Sequence, residues 1–179
     1  QHTGNWPGKT VSNATGNMKF NGNSYKIIDI PGTYSFYPHS AEEEIARDYI
    51  CFEKPDATLV VVDATCLERN LNLVYQVMEL TNNVIVCVNL LDEAKKHGIS
   101  INLKKLSELL GVPVVGTTAR TPKTLKKLLY IIDNVCIKKD SSSSKLVQYH
   151  PTIEHDIEEI SEKLKNIILL GLRDDSGTF

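Results

Sequence analysis

The sequence predicts an α/β domain, with a mainly parallel sheet covered by helices on both faces. Short β-branched runs alternate with helical patterns, as the runs at 57–62 and 83–88 do around the helical pattern at 67–80. These runs are apolar at nearly every position, which suits strands buried on both sides. Polar residues follow each run, namely Asp29, Asp63, Asn89 and Thr117, where open α/β sheets bind their ligands.

Each element has its own signal. Residues 23–30 (NSYKIIDI) read as a strand that stops at Pro31-Gly32. Ser40 precedes Glu43 at capping-box spacing, and a helix over 41–52 is closed off by Pro55. Residues 57–62 (ATLVVV) form a buried strand ending at Asp63. Over 67–80, Leu67, Leu71, Val74, Val77 and Met78 fall on one helical face. Residues 83–88 form the next strand, and 102–110 a helix that Gly111 stops. A short strand at 112–115 precedes a helix at 122–135, with Leu125, Leu128, Leu129 and Ile132 on one side. The domain spans 1–136, and 137–149, with its serine run, is a polar linker. A second domain starts within 150–179, where Ile153, Ile157, Ile160, Leu164, Ile167 and Ile168 stripe one amphipathic helix.

Composition excludes several classes. The net charge of −2, from 20 basic and 22 acidic side chains in 179 residues, gives no basic surface for nucleic acid. No run of 18 apolar residues is present to span a membrane, and no signal peptide is visible. Cys51, Cys66, Cys87 and Cys136 fit neither a zinc pattern nor a disulfide scaffold, so they read as buried free thiols.

The candidate chemistry sits at strand ends. Asp29-Ile30-Pro31-Gly32 is an Asp-x-x-Gly junction, where the Asp can hold Mg²⁺ and the Gly amide can sense a terminal phosphate. A turn alone also supplies an Asp and a Gly. Asn89-Leu90-Leu91-Asp92 follows a buried strand. Asp92 can accept from N1–H and the exocyclic amine of guanine, a pair that adenine does not offer, or it can simply cap a helix. Thr118-Ala119 follows the next strand, where a backbone amide can meet guanine O6. These motifs stand at successive strand ends in the order that GTPases use.

Four segments carry a closer resemblance. They are Gly4-Asn5-Trp6-Pro7-Gly8-Lys9-Thr10-Val11, Asp29 to Ser35 (DIPGTYS), Glu43 to Tyr49 (EEIARDY), and Val62 to Leu71 (VDATCLERNL). Over residues 1–135 the chain resembles the cytoplasmic GTPase domain of the ferrous-iron transport protein B family. The resemblance implies a Ras-like P-loop GTPase fold followed by part of a small helical domain. It implies GTP or GDP and Mg²⁺ as ligands, with K⁺ in members that use it. Thr10 matches the switch I threonine on Mg²⁺, and the carbonyls of Gly4 and Trp6 match positions that touch K⁺. Asp29 and Gly32 match switch II, Asn89 and Asp92 the guanine-reading pair, and Thr118 and Ala119 the last base-contacting loop. Thr33 stands where many small GTPases have a water-orienting Gln, so hydrolysis is expected to be slow without a cation or partner. The implied setting is the cytoplasmic face of a bacterial inner membrane, where GTP state is coupled to Fe²⁺ uptake through the two switches. The implied partners are the protein's own membrane transport domain and other copies of itself.

No Gly-x-x-x-x-Gly-Lys-Ser/Thr occurs in the sequence. Gly8-Lys9-Thr10 mimics its end, but Pro7 interrupts the cradle and the frame matches switch I. Gln1 is therefore expected to fall about 25 residues into a natural domain, judged by a strand, a loop and a helix. These 179 residues alone should bind nucleotide weakly. The alternative is a degenerate, non-catalytic GTPase-fold module that docks a protein partner. A receiver-like domain with Asp63 as phosphoacceptor leaves Asn89, Asp92 and the Gly4–Thr10 motif unexplained.

Overall fold

The computed structural model describes residues 14–30, 41–118, 121–137 and 150–174. The chain separates into two compact units, 1–146 and 147–179.

The first unit begins with an antiparallel hairpin. β1 (Ala14–Phe20) pairs with β2 (Asn23–Asp29), placing Ala14 opposite Asp29 and Phe20 opposite Asn23. The turn is Asn21-Gly22, with φ of 49° and 81°. An Asn-Gly pair tolerates two successive positive φ values and matches the twist of the flanking strands. No strand pattern marks β1, because Gly16 and Asn17 are poor strand formers, although Asn21-Gly22 is itself a hairpin signal.

α1 (Ala41–Glu53) follows, and Ser40 of its predicted capping box lies outside the described residues. β3 (Thr58–Asp63), β4 (Val84–Asn89) and β5 (Val114–Gly116) then form a parallel sheet in that order. Among the described residues, the five strands thus form two sheets rather than one, a hairpin and a parallel trio. Between β3 and β4 lie a 3-10 turn (Ala64–Cys66) and α2 (Leu67–Leu80). α3 (Leu91–Lys96) and α4 (Leu103–Leu110) lead to β5, and α5 (Pro122–Ile137) follows it. Asn102 caps α4 by accepting from Lys105 N–H at 3.0 Å, and Gly111 ends the helix as its sequence position predicts.

β4 is the centre of the core, with Val84 to Val88 all buried. On one face Val84, Val86 and Val88 pack with Val74, Val77 and Met78 of α2 and with Leu110 of α4. On the other, Ile85, Cys87 and Val115 pack with Leu128, Ile131, Ile132 and Val135 of α5. Each such Val or Ile contributes roughly 1.5–3 kcal/mol through removal from water. β3 is different. Val60 and Val62 are buried, whereas Leu59 and Val61 are 38% and 56% exposed. The apolar run in the sequence predicts cover on both faces of this strand, and here one face lacks it. Of the four thiols, Cys87 is buried, Cys51 and Cys136 are half-buried, and Cys66 is exposed. The expectation of burial thus fails at Cys66, which sits in the 3-10 turn instead of a strand or helix core.

A polar latch fastens the hairpin to α5. Asp133 is 6% exposed and accepts from Asn21 Nδ2 at 2.9 Å, from Asn23 Nδ2 at 3.0 Å, and from the Tyr25 hydroxyl. Phe20 meets Tyr130 edge to face at 4.9 Å between ring centroids. The Tyr25 hydroxyl above all, then the Asn21 and Asn23 amides, hold the Asp133 carboxyl below its usual range against the opposing pull of burial. The same bond to Asp133 pushes the Tyr25 phenol up.

The signs set a pH window. A depressed carboxyl pKa stabilises the fold above about pH 4, and that contribution fades as pH falls through the folded value. A raised phenol pKa stabilises below about pH 10 and fades as pH rises through its folded value. Thermal unfolding across pH should therefore show Asp133→Asn and wild type converging at the acid end, with wild type more stable at neutral pH. A constant difference down to pH 2 would remove the latch from the account.

In the second unit, α6 (Pro151–Asp174) carries Ile153, Ile157, Ile160 and Leu164, each about half exposed. Among the described residues, no helix is long and apolar enough to cross a membrane.

Candidate functional site

The parallel register brings the strand exits into a row. Asp63 stands opposite Asn89, and Val88 opposite Gly116, so Asn89 and Thr117 follow in line. Thr117 is 2% exposed and donates its hydroxyl hydrogen to Asn89 Oδ1 at 3.0 Å. With that hydrogen committed, the Cys87 thiol 3.2 Å away is the donor to Thr117 Oγ1. Burial pushes the Cys87 thiol up, although its contact with Thr117 works against that, and a protonated thiol remains a donor at neutral pH. Cys87, Thr117 and Asn89 thus form one relay, which turns the donor end of the Asn89 amide away from Thr117.

Asn89 leads into α3 through Leu90, whose φ of 60° and ψ of 34° are left-handed. That conformation costs a branched residue about 1–2 kcal/mol, and it sits between Asn89 and Asp92. Asp92 is the second residue of α3. Its Oδ1 is buried without a hydrogen-bond partner, and a carboxylate oxygen in that condition is costly unless a donor arrives. Asp92 therefore does not spend this oxygen on a helix cap. Gly116 permits the approach of α3. A Cβ there would lie 2.4 Å from Leu91 Cδ1 and 2.5 Å from Leu103 Cδ1, so any side chain would push those leucines outward.

The exit of β5 is tied down as well. Thr117 N–H donates to Val88 O at 2.8 Å, and Thr118 N–H donates to Thr124 Oγ1 at 3.3 Å. Thr124 Oγ1 donates back toward Thr118 O and Thr121 O, at 3.1 and 2.8 Å. At the β3 exit, Asp63 accepts from Thr65 N–H and Thr65 Oγ1, both at 2.7 Å. Asn70 Oδ1 accepts from Asp63 N–H at 3.3 Å, while its Nδ2 donates to Cys66 O at 2.9 Å. The Asn of the Leu-Glu-Arg-Asn-Leu motif is thus a brace for the end of β3.

Of the candidate residues, Asn89, Asp92 and Thr118 lie at the exits of β4 and β5, and Asp29 is an exposed residue at the end of β2, in the hairpin sheet. Gly4, Trp6, Thr10, Gly32, Thr33 and Ala119 lie outside the described residues. Thr117 and Cys87 carried no assigned role in the sequence. The available signal was the hydroxyl directly after a short strand whose neighbour ends in Asn89. Among the described residues, no three His, Cys, Asp or Glu side chains cluster to hold a metal.

Comparison with known proteins identifies the family and the fold. The family model described as "Ferrous iron transport protein B" matches residues 1–132. A Porphyromonas gingivalis Fe(2+) transport protein A/Fe(2+) transporter FeoB fusion protein is 36% identical over 95% of this chain and 20% of its own length. The Staphylococcus aureus Fe(2+) transporter FeoB is 33% identical over 98% of the chain and 25% of its own. The chain thus spans a quarter or less of the curated relatives it matches. Among solved structures, the cytosolic domain of the T. maritima FeoB iron transporter in a GDP form superposes with a TM-score of 0.85 at 33% identity, over 92% of this chain and 65% of that one. The FeoB G-domain from Methanococcus jannaschii superposes at 0.67 with 42% identity, over 69% and 79%. A GTPase-type α/β fold, a row of polar strand exits ending in Asn89 and Thr117, and a family match across most of the first unit lead to one assignment: the chain belongs to the ferrous iron transport protein B family.

Proposed function

We propose that this chain is the base-reading part of a GTP-hydrolysing regulatory domain in a bacterial ferrous iron transporter. The observation that carries the reading is Asp92 Oδ1, a buried acceptor lacking a donor, three residues from an Asn89 fixed by Thr117. Guanine supplies the missing donors through N1–H and its exocyclic amine, and adenine does not. The T. maritima cytosolic domain has been solved in GDP and GMPPNP forms, which supports a guanine nucleotide as ligand here.

In this reading Asn89 and Asp92 hold the base, and the Thr118-Ala119 backbone meets guanine O6. Asp29 offers a hard carboxylate oxygen toward Mg²⁺, an ion that keeps few protein ligands and takes the rest from phosphate and water. Thr10 completes that shell, Gly32 senses the terminal phosphate, and Gly4 and Trp6 offer carbonyls to K⁺. Bound Mg²⁺ supplies charge neutralisation at the phosphates. Thr33 brings no carboxamide to orient water, so turnover is slow without an added cation or partner. No Gly-x-x-x-x-Gly-Lys-Ser/Thr occurs in residues 1–179, so the residues assigned here serve the base and the Mg²⁺ side of the site. Residues 1–136 form the GTPase domain, 137–149 the linker and 150–179 the start of a helical domain toward the membrane part. GTP state then acts on Fe²⁺ uptake through the two switch segments, on the cytoplasmic face of the membrane.

NMR titration of this chain with GDP and ADP tests the reading. GDP should shift the amides of Asn89, Asp92, Thr117 and Thr118 with affinity weaker than micromolar, and ADP should leave them in place. Equal response to both nucleotides, or none to either at millimolar concentration, would favour the docking module instead.

A further inference from the structure

A single residue joins the central strand to the next helix. β4 ends at Asn89 and α3 begins at Leu91, so Leu90 alone turns the chain, at φ 60° and ψ 34°. That left-handed backbone is strained in a leucine. The Leu90 side chain gains little in return, being 38% exposed. The backbone bond that follows is long, 3.4 Å from Leu91 N–H to Thr117 O. α3 has six residues, too few to persist without packing. The turn and the helix are therefore held from outside. Ala94 is 1% exposed, and Leu91, three residues before it, lies on the same helical face. Both pack into the cluster that contains Val86, Val88 and Leu110.

Leu91 reaches that cluster through a notch on β5. Gly116 stands opposite Val88 and follows Val114 by two residues, so it lies on the sheet face that Leu91 and Leu103 cover. A Cβ on Gly116 would meet a methyl of each leucine, at 2.4 and 2.5 Å. The notch exists because residue 116 has no side chain.

From this geometry we infer that Leu91, seated at Gly116, is a positioning residue for Asp92. Successive helical residues are about 100° apart, so fixing Leu91 and Ala94 sets the rotation of α3 and with it the direction of Asp92. The same seat keeps Leu90 left-handed, which fixes the offset between Asn89 on the strand and Asp92 on the helix. When the seat is loosened, Leu90 relaxes to an unstrained backbone and the Asp92 carboxylate turns away from Asn89. Leu103 fills the other side of the notch, but from α4 and not from the helix that carries Asp92. For its effect on nucleotides the inference rests on the base-reading role of Asn89 and Asp92, whereas the seat itself does not.

The experiment uses residues 1–179. Leu91→Ala empties the notch, Gly116→Ala fills it, Leu91→Met keeps a side chain of similar length, and Leu103→Ala removes the neighbour that shares it. NMR without nucleotide reads the sign of φ at Leu90 from its amide-to-Hα coupling and Cα shift. Leu91→Ala and Gly116→Ala should lose the left-handed signature. Leu91→Met and Leu103→Ala should keep it, although Leu103→Ala melts at a lower temperature. Dispersed amide signals from Val84 to Val88 show that each variant is folded. If Gly116→Ala does not fold, Leu91→Ala, which trims a half-buried side chain, carries the test.

GDP and inosine diphosphate, which lacks the exocyclic amine, are then titrated. Wild type should prefer GDP by about tenfold, the worth of one hydrogen bond to a charged group. Leu91→Ala and Gly116→Ala should lose that preference, and Leu91→Met and Leu103→Ala should retain it. A left-handed Leu90 in Leu91→Ala overturns the proposal. So does loss of the signature with the GDP preference intact, since Asp92 is then aimed by something else. An equal effect of Leu103→Ala overturns it as well, by reducing Leu91 to ordinary packing. A wild type that ignores GDP removes the base reading alone, because the Leu90 signature still decides the seat.

Discussion

Asp92→Asn should reverse the base preference of this chain. In the proposed reading the carboxylate accepts from two donors on guanine, and loss of a charged, buried hydrogen-bond partner costs about 3 kcal/mol, roughly a hundredfold in affinity. The carboxamide brings a donor to the same place. Xanthine carries a carbonyl where guanine carries its amine, so the variant should favour xanthosine diphosphate over GDP. The fold should be unaffected or slightly more stable, because the variant no longer buries an unpartnered carboxylate oxygen. Parallel titrations of both proteins with both nucleotides read this directly. Retention of the GDP preference would show that Asp92 does not face the base.

Thr117→Val should damage stability and affinity together. The side chains are nearly the same size, so the change removes a hydroxyl with little loss of packing. Asn89 Oδ1 loses its donor and the Cys87 thiol its acceptor, in a site that is 2% exposed. A stranded buried acceptor costs about 1–3 kcal/mol, or roughly 3–9 °C in melting temperature for a domain of this size. GDP affinity should fall by about tenfold, since Asn89 is then free to rotate its amide. Thr117→Ser restores the hydroxyl and should recover most of the affinity while still missing a methyl group in the core. If Thr117→Ser and Thr117→Val lose affinity equally, Thr117 acts through packing and not as a positioning residue for Asn89.

Much of this was readable along the chain, and the pattern of misses is physical. Local signals held where one element decides its own shape. Asn102 and Gly111 bound α4 as their residue types predict, and the β-branched run through Val88 is the central strand. The placement of Asn89 at a strand exit and of Asp92 at a helix start was legible because both are local events. Thr117 acts on Asn89 from 28 residues away, and Asp133 acts on Tyr25 from 108. No periodicity encodes such contacts. The separation into two sheets also escaped the sequence, because the apolar character of Leu59 and Val61 tells that cover is wanted and not whether a neighbour supplies it.

The hairpin has a mechanical consequence. Asp133 grips it at the Asn21-Gly22 turn, and Ala14 pairs with Asp29 at the opposite end, about 20 Å away along strands of seven residues. The segment preceding Ala14 and the segment following Asp29 therefore leave from adjacent points on one stiff ribbon. These are the segments that hold Thr10 and Gly32. The two strand ends share one ribbon fastened at its far end to α5, so a tilt of that ribbon moves Ala14 and Asp29 together.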